Sequence, residues 1–360
     1  MLESDLLATK LYCPALPVQW VQRPQLSARL DQGLALQRKM TLVSAPAGFG
    51  KTTCVASWLH ARVDRPLAWL SLEPADDDPA RFFTYLVAAL QRVDARLGWE
   101  IGGILRAGQL PPGEVIAATL VNDSAAADPF VLVLDDFHVI QDRFILQVLE
   151  TVVANLPPVL HLVLITREDP PLPLARLRAN NALTEVRARD LRFDSEDGAT
   201  FLNEVMGLSL TAADISALEM KTEGWIAGLQ LAALALQTAP DAGEPALVSR
   251  FIAALSGSHR FILSYLTEQV LNQQPENVQR FLLQTAILDK LTGDLGDAVT
   301  GRSGSQALLE WLYRANLFLI ALDEEGRWYR YHHLFADLLR ERLGALDEDE
   351  IAELHRRASR

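Results

Sequence analysis

The stretch Thr41-Leu-Val-Ser-Ala-Pro-Ala-Gly-Phe-Gly-Lys-Thr-Thr53 constrains this chain more than any other part of its sequence. An apolar, strand-like segment from Met40 to Val43 runs into a glycine-bearing loop, and a helical apolar pattern follows. This is the strand, loop and helix order of a phosphate-binding loop, in which backbone N–H groups and the positive end of a helix face phosphate oxygens. The stretch therefore predicts a site for a nucleoside triphosphate or diphosphate.

Two side chains of this loop fit a nucleotide directly. Lys51 is expected to reach the β- and γ-phosphates, and the hydroxyl of Thr52 is expected to complete the ligand shell of Mg²⁺. The common pattern G-x-x-x-x-G-K-[ST] would place glycine at position 45, where this chain has Ala45. Gly48 and Gly50 still keep the loop open where its backbone must approach the nucleotide. The alternative, a chance match in a turn, is weakened by the strand and helix on either side.

The composition limits the remaining function classes. A chain of 360 residues with 49% hydrophobic residues is long enough for two or three domains. Its formal net charge of −13 argues against direct contact with DNA or RNA by most of the chain, because such contacts need a basic face. Cys13 and Cys54 lack metal-ligand spacing and suit a reducing compartment. With no signal peptide and no apolar run long enough to span a bilayer, we expect a cytoplasmic protein without membrane contact.

A second acidic motif follows a predicted buried strand, Phe130-Val-Leu-Val-Leu-Asp-Asp-Phe-His138. Parallel strands deliver such groups to their carboxyl edge, where ligands bind in α/β sheets. Asp135 is expected to hold Mg²⁺ directly or through water. Asp136 is expected to polarise the attacking water or to couple nucleotide state to the next domain, whereas His138 is interpreted as structural. Arg167, after the strand from 160 to 166, could reach a γ-phosphate or lie in a solvated loop.

The pattern of strands and helices predicts the order of the domains. Strands alternate with helices from 40 to 191, which indicates a doubly wound parallel α/β domain of the P-loop NTPase type. The sequence is then helical, and strands at 317–322 and 327–331 around Asp323-Glu-Glu-Gly326 predict a winged helix. We predict a nucleotide-binding domain at 1–194, an all-α helical domain at 195–255, a winged-helix domain at 256–346 and the start of a truncated helical domain at 347–360.

The residues ahead of the phosphate loop form a predicted arm. Thr9 to Pro17 reads as an extended, proline-stiffened segment, and Pro24 suits the first position of a short helix that ends near Leu36. An arm at this place could cover an adenine. The alternative interpretation is an arm that only packs against the domain.

Taken together, these features resemble the ATPase module of STAND signalling proteins, and in particular the MalT-type regulators of the LuxR family. The resemblance runs from about Thr9 to the end of the chain. It rests on short motifs in the expected order: Thr9-Lys-Leu11, Val21-x-Arg23, Ser44-Ala-Pro-Ala-Gly-Phe-Gly-Lys-Thr-Thr53, Asp135-Asp-Phe-His138, Thr166-Arg167, Gly224-Trp-x-x-x-Leu-Gln230 and Tyr331-His-His-Leu-Phe335.

The resemblance implies a role for each matching residue. Val21 and Arg23 would contact the adenine, and Arg167 would sense the γ-phosphate. His332 would contact the β-phosphate of ADP and lock a closed resting state, although a packing role and the neighbouring His333 compete with this assignment. Proline of the family's G-x-P motif is replaced by Ile226, which can still pack on a purine. The residues expected to hold ADP or ATP with Mg²⁺ are Val21, Arg23, Ala47, Gly48, Phe49, Gly50, Lys51, Thr52, Thr53, Ile226 and His332, with Thr52 and Asp135 on the metal.

The resemblance also implies a switch. ADP would hold the module closed, while an inducer and ATP would favour an open form that self-associates and activates transcription, with slow hydrolysis between the two. A small-molecule or protein inducer and DNA would bind through regions absent from this chain. A continuously turning AAA+-type ATPase is the alternative function. Direct DNA binding by the winged helix is disfavoured, because Asp323-Glu-Glu-Gly326 is acidic and would repel phosphate.

Overall fold

A computed structural model describes residues 6–62, 65–238, 245–256, 259–323, 325–344 and 348–359 of the chain. The chain divides into two compact units. The first comprises Met1–Ala45 and Lys51–Leu191, and the second comprises Pro46–Gly50 and Arg192–Arg360. The middle of the predicted phosphate loop therefore belongs by its contacts to the second unit, while Lys51 belongs to the first. The finer division into four domains stays a prediction.

The first unit is built around a parallel sheet, which has five strands among the described residues. The strand order is β2-β3-β4-β1-β5, so that β4 lies between β1 and β3. The strands are β1 (Met40–Ser44), β2 (Leu67–Ser71), β3 (Phe130–Asp135), β4 (Leu160–Thr166) and β5 (Leu183–Arg187). The residues of β1, β3 and β4 are buried throughout, as expected for parallel strands that are covered on both faces.

Helices accompany these strands along the first unit. Phe82, Phe83 and Leu86 recur at helical spacing and are almost completely buried in the core of this unit. The helices are α1 (Pro24–Ala35), α2 (Lys51–His60), α3 (Pro79–Gln91), α4 (Trp99–Arg106), α5 (Gly113–Ala125), α6 (Arg143–Ala154), α7 (Leu174–Ala179) and α8 (Ala188–Leu191). Short 3-10 helices lie at Ala8–Leu11, Pro74–Asp77 and Phe137–Val139.

The second unit is mainly helical and ends in a winged-helix arrangement, with an antiparallel hairpin ahead of α17. Its helices are α9 (Ser195–Ala199), α10 (Ala212–Thr222), α11 (Ile226–Gln237), α12 (Pro245–Ala254), α13 (Arg260–Gln269), α14 (Glu276–Thr285), α15 (Gly293–Thr300), α16 (Ser305–Arg314), α17 (His333–Leu343) and α18 (Glu348–Ala358). A π-helix at Thr200–Val205 follows α9 and a 3-10 helix lies at Leu271–Gln273. The hairpin pairs β6 (Leu319–Ala321) with β7 (Tyr329–Tyr331).

Most predicted elements are confirmed, and local chemistry explains their ends. The side chain of Asp78 accepts the Arg81 N–H at the start of α3, and Thr211 forms the expected capping box with Asp214 at the start of α10. α4, α12 and α15 were not predicted, because each is short and two of them contain internal glycines.

Three predicted strands were too long. The sequence Leu183-Thr-Glu-Val-Arg-Ala-Arg-Asp190 predicts a final strand over the whole stretch, but the strand ends at Arg187, whose N–H is accepted by the Asp190 carboxylate within α8. The hairpin strands are three residues each, shorter than predicted. Of the loop and linker predictions, Glu324 and residues 241–244 lie outside the described residues. In the part of the chain that is described, no helix combines the length and apolarity needed to cross a bilayer.

Candidate nucleotide-binding site

The backbone of the phosphate loop explains why alanine is accepted at position 45. Gly48 and Gly50 have φ angles of 77° and 72°, in the left-handed region that favours glycine. Ala45 is not among the residues with positive φ, and its side chain is fully buried. The two glycines of this loop therefore lie at the positions where φ is positive, and the backbone conformation at position 45 does not require glycine.

Lys51 begins α2 and is almost completely buried, with 7% of its surface exposed. Burial, first, and the nearby Arg167 lower the pKa of Lys51 to about 8, against the opposing influence of Asp136 and Asp135. A cation desolvated in this way is stabilised when an anion arrives, because the anion favours its charged form. The structure thus brings Lys51, Asp135, Asp136 and Arg167 into one electrostatic cluster within the first unit.

Thr52 and Asp135 have the separation that a shared Mg²⁺ ion requires. The Thr52 hydroxyl donates to Oδ1 and Oδ2 of Asp135 at 3.0 and 3.1 Å. Adjacent oxygens of an octahedral Mg²⁺ shell with bonds of 2.0–2.1 Å lie about 2.9 Å apart, so the two side chains fit the ion. Burial, first, and the neighbouring Asp136 raise the pKa of Asp135 to about 6. A cation would relieve both effects.

The order of the strands brings Arg167 close to Lys51 within the first unit. Because β4 lies between β1 and β3, Thr166 ends its strand between Ser44 of β1 and the carboxylate of β3. Arg167 is near enough to Lys51 and His138 to lower the pKa of both. His138 is mostly buried, and burial is the main reason that its pKa falls to about 3.

Asp136 directly precedes the 3-10 helix that follows β3. Its φ of 56° is in the left-handed region, and its N–H donates to Oδ1 of Asp135 at 3.0 Å. The side chain is half exposed, unlike that of Asp135. This exposure leaves Asp136 open to a water molecule, in keeping with the predicted role.

The predicted adenine contacts lie on the arm of the first unit. Val21 is half-buried, and the guanidinium of Arg23 donates to the carbonyl oxygens of Leu191 and Asp190, both at 3.1 Å. Arg23 also lies near enough to Cys54, in α2, to affect the pKa of its thiol. The structure therefore fixes Arg23 beside α8 and α2, and its contact with adenine stays a prediction.

In the second unit, the loop residues 46–50 pack against the start of α11. The indole N–H of Trp225 donates to the Ala47 carbonyl and the Ala227 N–H donates to the Gly48 carbonyl, both at 3.0 Å. The second bond satisfies one of the N–H groups that the first turn of a helix leaves without a partner. A Cβ atom added to Gly50 would lie 2.9 Å from Cδ1 of Ile226. Ile226, which is predicted to contact the purine, therefore packs against the loop.

His332 is the predicted histidine that the structure buries, with 2% of its surface exposed. Its Nε2–H donates to the Thr222 carbonyl at 2.8 Å, and its Nδ1 has no hydrogen-bond partner among the described residues. Burial lowers the pKa of His332 to about 4, against the influence of Glu223. His333, the competing candidate, has 63% of its side chain exposed and faces Glu223 at 3.7 Å.

The sequence reasoning missed the aromatic residues that connect His332 with the loop. The Trp225 and Phe318 rings lie 6.1 and 5.6 Å from the His332 ring, and Phe318 also lies 6.3 Å from the Phe49 ring. Phe318 has a φ of 52°, an unusual conformation for a bulky residue. The Gly224-Trp motif marked the position of Trp225 in the sequence, but no pattern marked Phe318.

Comparison with known proteins identifies the relatives of this chain. Residues 267–351 match the model of the MalT winged helix domain. The chain is 33% identical over 355 residues to the HTH-type transcriptional regulator MalT of Yersinia enterocolitica, covering 98% of this chain and 38% of the relative. The predicted resemblance to MalT-type regulators is confirmed. The chain is also 33% identical over 356 residues to the serine/threonine-protein kinase PknK of Mycobacterium tuberculosis. This match covers 98% of this chain and 31% of the relative.

The fold also has a solved counterpart. A Walker-type ATPase of Pyrococcus abyssi matches 89% of this chain and 96% of its own, with a TM-score of 0.59 and 17% sequence identity. The chain therefore has the P-loop NTPase fold, followed by a helical region and a winged helix, as predicted. It spans about a third of the length of the curated relatives that it matches.

Proposed function

We propose that this chain is the nucleotide-controlled switch module of a MalT-like transcriptional regulator. It binds adenine nucleotide with Mg²⁺, rests with ADP, is activated with ATP and returns by slow hydrolysis. The ATP form self-associates. An inducer and DNA are recognised by other regions of the full-length regulator.

The geometry of Lys51, Thr52 and Asp135 carries the proposal. A buried ammonium group at the start of α2 and a hydroxyl–carboxylate pair 3.0 Å apart are the groups needed for a Mg²⁺-bound polyphosphate. When bound, the metal neutralises charge on the phosphates. Lys51 holds the phosphates, Arg167 contacts the γ-phosphate and Asp136 orients the attacking water. ATP is distinguished from ADP by the groups that reach the third phosphate.

The switch is supported by the contacts of the loop itself. Residues 46–50 belong to the second unit, and Lys51 and Thr52, which follow without a break, belong to the first. A phosphate group bound at Lys51 and Thr52 therefore lies next in sequence to residues 46–50. His332, with a buried Nδ1 that has no partner among the described residues, is the proposed contact for the β-phosphate of ADP. Since Nε2 already donates to Thr222, a hydrogen bond to phosphate requires the protonated ring, which an adjacent anion favours.

The decisive experiment identifies what the purified protein carries. The protein is denatured, and released nucleotide is separated by anion-exchange chromatography. We expect about one ADP per chain for a P-loop switch and none for Lys51→Ala. Lys39→Ala is the control, because among the described residues the Lys39 side chain makes one hydrogen bond, an exposed one to the Ala154 carbonyl. Sedimentation in ATP is expected to show a larger species than in ADP. Nucleotide-free protein that turns over ATP at roughly 1–1000 s⁻¹ would contradict the switch.

That last outcome would support the alternative, an ATPase machine with continuous turnover. DNA binding through the winged helix receives less support. Near the tip of the hairpin, Asp323 accepts the N–H groups of Arg327 and Trp328, and Glu325 pairs with the Arg327 guanidinium. The guanidinium of Arg327 is thus neutralised by Glu325, which weakens its attraction for phosphate.

A further inference from the structure

A lysine of the N-terminal arm is buried in the first unit, far in sequence from the phosphate loop. Lys10 has 8% of its surface exposed and pairs with the fully buried carboxylate of Asp76. Its ammonium group lies 4.2 Å from the centre of the Tyr85 ring, and Glu73 is 3.4 Å away. A lysine is rarely buried to this extent without a specific partner. The pair therefore fixes the short 3-10 helix Ala8–Leu11 against the body of the unit.

Asp76 stands at the centre of a fully bonded cluster. Oδ2, the oxygen that pairs with Lys10, also accepts the Glu73 N–H at 2.9 Å, and Oδ1 accepts from Arg81 Nε at 2.8 Å. The Leu7 N–H donates to the Tyr85 hydroxyl at 3.2 Å, which gives the arm a second attachment to α3. Two cations and two carboxylates balance within the cluster, as a buried ionic group requires.

The same acidic segment continues into the loop that follows β3. Oδ1 of Asp77 accepts the N–H groups of Gln141 and Asp142 at 2.6 and 2.7 Å. That loop begins at Asp136, next to the predicted Mg²⁺ ligand. The anchor of the arm and the acidic edge of the candidate site are thus joined by one short segment, Pro74–Asp77.

Residues 12–22 connect this anchor to a second attachment at Arg23, and we name them the strap. Cys13 of the strap lies 3.7 Å from Nδ1 of His60, at the end of α2, and near enough to Asp135 to be affected by its charge. Arg23 is held by the carbonyl oxygens of Asp190 and Leu191. The residues of the strap are exposed or half-buried, so the two attachments hold it together with surface contacts such as that of Arg92, 4.0 Å from the Tyr12 ring.

We propose that Lys10 is a positioning residue for the nucleotide, which anchors the strap and thereby sets how long the nucleotide stays bound. The inference rests on the proposed nucleotide-binding function and adds a group that does not touch the ligand. Opening the strap requires the Lys10–Asp76 pair to separate or its whole 3-10 helix to move. Removing the ammonium group leaves Arg81 on Asp76, so the carboxylate keeps a charged partner and the unit can still fold.

The test measures the dissociation of a fluorescent ADP analogue by stopped-flow chase, together with hydrogen exchange of residues 12–22. For Lys10→Met we expect dissociation at least tenfold faster and faster exchange in the strap, with a melting temperature close to that of the parent. Lys10→Arg is expected to restore slow dissociation in part, since it keeps the charge. Lys39→Met, which removes a half-buried lysine of the same unit whose hydrogen bond to the Ala154 carbonyl is exposed, is the matched control and should leave both rates unchanged.

The outcomes separate this proposal from the proposed function. Dissociation within twofold of the parent for both Lys10→Met and Asp76→Asn would overturn the anchoring role, as would an equal acceleration by Lys39→Met. If Lys10→Met does not fold, Asp76→Asn, which removes the negative charge that pairs with Lys10 and keeps the side-chain volume, decides the question by the same two rates. A parent protein that binds no analogue would contradict the proposed function, and unchanged strap exchange in Lys10→Met would then overturn the anchor itself.

Discussion

Two buried histidines, one in each unit, show how differently the two parts of the molecule use a polar group. In the first unit, His161 of β4 donates from Nδ1 to the Arg38 carbonyl at 2.8 Å and accepts the Thr41 hydroxyl at Nε2, at 2.9 Å. In the second unit, His332 is bonded only through Nε2 among the described residues. Burial is the main reason that the pKa of each falls to about 4.

The difference separates a structural histidine from one that can accept a ligand. Buried polar atoms are nearly always paired, because leaving one without a partner costs about 1–3 kcal/mol. Both ring nitrogens of His161 are hydrogen-bonded within the protein, as expected for a structural residue. In His332 one buried nitrogen has no hydrogen-bond partner among the described residues, which is why we propose it as a contact for the nucleotide. Its neighbours Trp225 and Phe318 connect it to the phosphate loop residues of its own unit.

The largest expected effect compares two glycines with nearly the same backbone conformation. Gly48 in the second unit has φ 77° and Gly108 in the first has φ 76°. A Cβ atom on Gly48 would meet Ala227 Cβ at 2.5 Å and Trp225 Nε1 at 2.7 Å, whereas one on Gly108 would meet nothing within 4 Å. We expect Gly48→Ala to lower the free energy of unfolding by about 3 kcal/mol and Gly108→Ala by only about 1 kcal/mol, since strain alone acts there.

Urea unfolding followed by tryptophan fluorescence measures both glycine variants. Equal losses of stability would show that the packing of the loop against Trp225 and Ala227 contributes little.

The next prediction concerns the two adjacent histidines. His332→Ala should weaken ADP binding about tenfold, because one hydrogen bond to a charged group is worth about 1.5–3 kcal/mol. His333→Ala should leave the affinity unchanged, because its ring is exposed and faces Glu223. Isothermal titration of nucleotide-stripped protein measures both values. Unchanged ADP affinity in His332→Ala, or the same loss in His333→Ala, would show that the interdomain lock is wrongly assigned.

The smallest effect concerns pH and the carboxylate of the first unit. Asp135 binds Mg²⁺ only when ionised, and its pKa is raised to about 6, so Mg²⁺-dependent nucleotide affinity should fall about fourfold between pH 7.5 and pH 5.5. Asp135→Asn should bind more weakly and lose this component of the pH dependence, which separates it from titration of the nucleotide phosphates. An identical pH profile in the variant would contradict the assignment.

Without Mg²⁺, the raised pKa of Asp135 makes the free energy of unfolding depend on pH. The protonated carboxyl is favoured in the folded protein, so the contribution of Asp135 to the free energy of unfolding is full below about pH 4 and is lost as the pH rises through about 6.

The sequence by itself determined the elements whose signals are local. The phosphate loop, the strand ending at Asp135 and the caps at Asp78 and Thr211 depend on neighbouring residues and on apolar patterns, which is why their positions could be predicted closely. The winged helix was also predicted, but the length of its strands was overestimated. The number of paired residues depends on contacts with the partner strand more than on the propensity of each residue.

Only the tertiary structure decided which distant groups meet. No spacing in the sequence reveals that β4 lies between β1 and β3, that Lys10 is buried against Asp76, or that Trp225 bonds to Ala47. The same holds for the choice between His332 and His333, adjacent residues of one type, of which folding buries the first and exposes the second. Burial and hydrogen bonding depend on long-range packing, and these properties give identical side chains different chemistry.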